Sequence, residues 1–78
     1  MSRPLQMTVE AVLLQLDSIP GGPSFELWIP QHLTLRGQPA RADVAMSIIL
    51  DKILGMGFAP DGFSEGDGGR VYRYKEMA

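Results

Sequence analysis

The sequence predicts a small α+β domain in which a long apolar helix packs on a small antiparallel sheet and runs into a C-terminal β-hairpin. Three observations predict it. Ala40 to Leu54 holds no glycine or proline, two strand-like runs separated by glycines follow it, and one alternating run, Phe25 to Ile29, precedes it. The expected order is α-β-(turn)-α-β-β in a single domain over residues 1–78, with residues 1–7 as a flexible N-terminal tail.

The first helix is expected over Thr8 to Ile19. Thr8 is a good N-cap and Glu10 sits near the positive end of the dipole. At about 100° per residue, Val9, Val12, Leu13, Leu16 and Ile19 share one face. Leu14 falls off that face with no explanation. Pro20-Gly21-Gly22-Pro23 then breaks the chain. In the strand that follows, Phe25, Leu27 and Ile29 point one way and Glu26 and Trp28 the other. Pro30 ends regular pairing or confines it to an edge. Residues Gln31 to Arg36 read equally as a short strand or a helical turn.

Pro39 suits the first position of the long helix, and Gly55 or Gly57 can supply its left-handed cap. On the helix wheel, Ala42, Ala45, Met46, Ile49, Leu50 and Ile53 make one broad apolar face. Asp43, Ser47 and Asp51 form a polar stripe, and Arg41 and Lys52 a second. Val44 and Ile48 stand between the stripes, away from the core face. Either the first helix covers them or they form an exposed ridge for a partner or a second copy. Trp28, opposite its apolar neighbours, is either an interface anchor or the lid of a small cluster with Leu33 or Leu35. The partner-binding candidates are therefore Trp28, Val44 and Ile48.

The last two strands are expected over Gly57–Phe63 and Arg70–Lys75, joined by a glycine-rich loop, Ser64–Gly69. Arg70, Tyr72 and Tyr74 share one side of the final strand; Val71, Arg73 and Lys75 share the other. The order helix-strand-turn-helix-hairpin is similar to that of a winged helix. The resemblance implies nucleic-acid binding through the hairpin, with Arg70, Tyr72, Arg73 and Lys75 as the contacts. Two features oppose it. The helix before the hairpin offers Asp43, Ser47 and Asp51 where base reading wants Arg, Lys, Asn or Gln, and the loop carries Glu65 and Asp67.

Composition narrows the classes further. A net charge of −2 gives no general attraction to nucleic acid. The absence of cysteine excludes disulfides and thiolate metal sites, and one histidine, His32, is too few for a structural zinc. Asp61, Glu65 and Asp67 lack the ligand spacing of a calcium loop, so glycine-turn chemistry is the better account of them. Gly66-Asp67-Gly68-Gly69 lacks the Lys-Ser/Thr of a phosphate loop. No pattern of nucleophile and base stands out, so the chain is expected to be non-enzymatic, without cofactor or metal. No apolar run is long enough to cross a bilayer and no signal-peptide pattern is visible, so a cytoplasmic protein is the default.

The expected function is a small protein-binding or regulatory module that docks on a partner protein or forms a homodimer. The alternative is a winged-helix-like nucleic-acid binder. A small-ligand carrier with a cavity between helix and sheet is the third class, and no residue pattern points to it.

Overall fold

The Thr8 hydroxyl accepts a hydrogen bond from the N–H of Ala11 at 3.0 Å, as an N-cap should, and opens α1, Val9–Asp17. The computed structural model describes residues 8–19 and 21–77; residues 1–7, expected as a tail, Pro20 and Ala78 lie outside the described residues. After α1 come β1 (Ser24–Pro30), β2 (Thr34–Leu35), β3 (Gln38–Pro39), α2 (Ala42–Gly55), β4 (Phe58–Gly66) and β5 (Gly69–Glu76).

Three strands form an antiparallel sheet in the order β1-β5-β4, so the latest strand in the chain lies in the middle. Leu27 opposes Tyr72 and Phe25 opposes Tyr74 across β1 and β5. Because side chains alternate, Phe25, Leu27, Ile29, Arg70, Tyr72 and Tyr74 share one face, while Trp28, Val71 and Arg73 occupy the other. The helices cover the first face. Val12 and Leu16 of α1, Ala45, Ile49 and Ile53 of α2, and Leu27, Ile29, Phe58 and Tyr74 of the sheet form one buried cluster. Phe25 packs edge-on to Phe58 at 4.9 Å and lies 5.3 Å from Tyr74. Burial pushes the Tyr74 phenol up to about 12, with a smaller contribution from neighbouring Tyr72. Among the described residues no ionisable carboxylate, lysine or arginine is buried.

Two boundaries differ from the sequence reading and two open alternatives resolve, each for a local reason. Pro39 is not the first helical residue. It pairs with Thr34, and Ala40 donates its N–H to the Leu33 carbonyl at 2.9 Å, which delays the helix to Ala42 with Arg41 as an N-cap lacking a side-chain bond. Within Gln31 to Arg36 the short strand is found, at Thr34–Leu35, in a two-stranded sheet of its own and not added to the main sheet. Thr34–Leu35 folds back on Gln38–Pro39 through Arg36 and Gly37, at φ 54° and 81°, the signs of a type I′ turn. The hairpin loop shrinks from Ser64–Gly69 to Asp67-Gly68, because Glu65 and Gly66 continue pairing, with Gly66 opposite Gly69. Of the two candidate helix-ending glycines, Gly57 takes the left-handed conformation, φ 93°, and donates to the Leu54 carbonyl, while Gly55 stays helical.

Two exposed contacts tie the layers together. The Arg36 N–H donates to Glu10 at 2.8 Å, which holds the small turn on α1 and keeps the Glu10 carboxyl below its ordinary range. Lys52 of α2 donates to Asp17 of α1 at 2.6 Å.

Candidate functional site

The wheel of α2 resolves the ridge. Ile48 and Lys52 sit on the side that meets α1, and Ile48 is half-buried against the core. Val44 lies further round and is 43% exposed, and Leu54 on the far side of the acidic stripe is 41% exposed. Between them run Ser47 and Asp51, both exposed, with Asp43 one turn earlier. The first helix thus covers Ile48 and leaves Val44 in water. Asp43 is held by Arg41 at 2.9 Å and caps the N–H of Val44. The solvent face of α2 is a mixed surface, apolar at Val44 and Leu54 and acidic between them.

Trp28 belongs elsewhere. Leu27 and Ile29 on either side of it face the helices, so the sheet lies between Trp28 and α2. It is half-buried, and its indole nitrogen passes 3.8 Å from where a side chain on Gly66 would begin. It is no lid over Leu33 or Leu35. Leu33 is in the main core and Leu35 packs against it. Trp28, Val44 and Ile48 therefore do not share one patch.

The four hairpin residues considered for nucleic acid are divided by the sheet as well. Arg70 and Tyr72 lie on the helix side, Arg73 and Lys75 on the outer side. Each cation already has a partner. Arg70 donates Nε to Glu65 at 3.1 Å and Nη1 to the Tyr72 hydroxyl at 3.4 Å, and its guanidinium lies 4.4 Å from the Phe63 ring centre. The Tyr72 hydrogen bond, then the Glu65 charge, pushes Arg70 further up. Arg73 donates to Ser64 at 2.9 Å, over the bulge at Gly62, and Lys75 stands 3.7 Å from Asp61. Offering these charges to phosphates would mean breaking the internal pairs first.

One concavity stands out; a cavity between helix and sheet is the third expected class, and no residue pattern marks its lining. Where the end of the hairpin overhangs the first turn of α2, a cleft of about 320 Å³ opens. Ile29, Leu33, Ala45 and Met46 supply apolar lining, while Tyr72, Arg70 and Glu65 supply a polar wall. Phe63 was missed as a surface residue: it opposes Tyr72, 5.5 Å ring to ring, and is 47% exposed. That pairing depends on turn length, and a turn assumed four residues too long hides it.

Among the described residues no group of three or more His, Asp or Glu side chains could hold a metal ion. No described helix is long and apolar enough to cross a membrane. Comparison of the chain with protein-family models, with curated proteins and with solved structures gave no match.

Proposed function

We propose that the chain is a small non-enzymatic module that docks on a partner protein through the solvent face of α2. The observation that carries this is Val44, 43% exposed on a helix whose inner face is packed, beside an acidic stripe. Large apolar side chains in that position gain from being covered, at roughly 25 cal/mol per Å² removed from water. The stripe bears on the kind of partner. A second copy related by a two-fold axis would set Asp43 and Asp51 against the same carboxylates, whereas a partner bearing Lys or Arg around an apolar centre would complement them. The surface therefore favours a different protein over self-association.

The nucleic-acid reading keeps one observation in its favour, the element order helix–strand–turn–helix–hairpin. Against it stand the acidic face of α2 and the internal partners of Arg70, Arg73 and Lys75.

Immobilised chain tests the first reading. A protein held by the native chain and by Arg70→Gln, and lost by Val44→Asp, supports it. The circular dichroism of Val44→Asp should match that of the parent. Light scattering should give a monomer, and a dimer abolished by Val44→Asp would replace the heterotypic reading with self-association. Duplex and single-stranded DNA titrated at ~50 mM salt should show no binding, because phosphate contacts release counterions and are strongest there. Salt-dependent binding lost in Arg73→Gln would transfer the function to the hairpin.

A further inference from the structure

We infer that the cleft between the hairpin end and the first turn of α2 is a binding site for a small, neutral, planar heteroaromatic molecule of about nucleobase size. This goes beyond the docking face, because Ala42 and Met46, which line the cleft, lie on the opposite side of α2 from Val44.

Size comes first. A volume of about 320 Å³ is at the lower end of the range for ligand pockets. Shape follows from which side chains are missing. Gly66, Gly68 and Gly69 make the hairpin wall from backbone, and Ala42 and Ala45 face it with single methyls. Gly69 has no alternative: a Cβ there would come within 2.8 Å of the Pro30 Cα. Gly68 takes φ 78°, which the two-residue turn requires. Walls of bare backbone and methyl groups are flat, and they suit a ring face better than a branched aliphatic body.

Polarity selects among flat molecules. The Tyr72 hydroxyl accepts from Arg70 and keeps its own hydrogen to donate, and Arg70 Nη2 has no partner among the described residues. Both donors sit on one wall, so the occupant needs an acceptor edge such as a ring carbonyl or ring nitrogen. An anion is disfavoured, since Glu65 already neutralises Arg70 and would repel a second carboxylate or phosphate alongside. A purely apolar body would cover the Tyr72 and Arg70 donors without replacing water, which costs free energy. A neutral ring with an acceptor edge meets both conditions.

NMR titration of the full ¹⁵N-labelled chain tests the inference, with uridine and adenosine as neutral planar probes, benzoate as the anion and benzene as the apolar control. The expected result is low-millimolar binding of a nucleoside that shifts the amides of Ala42, Met46, Gly66, Gly68 and Tyr72. Ala42→Trp, at an exposed helix position, should abolish the shifts by filling the cleft. Tyr72→Phe should weaken binding about tenfold by removing one donor. Val44→Asp should leave binding unchanged, which separates this site from the docking face. The inference is overturned if neither nucleoside shifts cleft amides at millimolar concentration. It is equally overturned if benzoate or benzene binds more tightly, or if the shifts survive Ala42→Trp.

Discussion

The two ends of one sheet face behave differently. Towards β1 and the base of the hairpin, Leu27, Ile29 and Tyr74 are buried under α1 and α2. Towards β4 and the hairpin turn, the same face carries Phe63 and Arg70, both largely open, against a half-buried Tyr72. The alternation does not change between the two: every second residue of β1 and β5 points to this face. What changes is the cover: Ile29, directly opposite Arg70, is buried, whereas Arg70 and Phe63 on the β4 side lie open. Alternation decides which face a residue joins, and the lengths of the neighbouring elements decide whether that face is dry.

The two phenylalanines of β4 offer the sharpest way to break this comparison. Phe58, 9% exposed and packed on Phe25, should lose about 3–5 kcal/mol on Phe58→Ala, enough to unfold much of a domain this small in chemical denaturation. Tyr74 tests the dry end by pH. Its phenol is raised from 10.0 to about 12, so the neutral form is the one the fold holds. The stability this contributes is complete below pH ~10 and lost as pH rises through ~12, roughly 2–3 kcal/mol in all. Thermal unfolding followed across that window should show the loss, and Tyr74→Phe should flatten it. At the junction of the two ends, Gly69→Ala would drive a methyl into the Ile29 and Pro30 backbone, costing about 1–3 kcal/mol and loosening the β1–β5 pairing nearest the turn. Amide exchange at Ile29 and Gln31 would report that loosening. Phe63→Ala, at the open end, should cost under about 1 kcal/mol, because its ring is 47% exposed and rests on Tyr72 and Arg70 at the surface. A Phe63→Ala loss as large as that of Phe58→Ala would mean the hairpin end is as dry as its base.

The dry end is the part that could be read from sequence. Thr8 caps α1, Val9, Val12 and Leu16 are its buried stripe, and Leu27 and Ile29 alternate with Trp28 as the pattern requires. These follow from periodicities set by backbone geometry alone. The open end was less legible because it depends on register. Whether Phe63 meets Tyr72, and so whether Arg70 has a ring to lie over, turns on how many residues the hairpin spends turning. Composition says only that Ser64–Gly69 is rich in glycine. The cleft depends in addition on where α2 starts, and Pro39 pointed there wrongly because its place in a two-residue strand pair comes from the Arg36-Gly37 turn. Of the two apolar residues that the wheel sets between the polar stripes, Ile48 is half-buried and Val44 is exposed. Their separation, one covered and one bare, is a matter of how far round α2 the first helix reaches. Leu14, 68% exposed, has no structural account.

The strand order β1-β5-β4 has a consequence for how the chain is made. The central strand is also the latest element in chain order, so during synthesis β1 and β4 both wait for a neighbour that does not yet exist. Until Gly69–Glu76 leaves the ribosome, the half-built molecule holds Phe25, Leu27 and Ile29 without the strand that pairs them. Closure then joins residues that lie far apart in sequence, a slow step by loop entropy, although the β4–β5 hairpin itself forms locally. A nascent chain stalled before Gly69 would carry two orphan strand edges, and quality-control factors that bind exposed apolar strands would have their longest opportunity there.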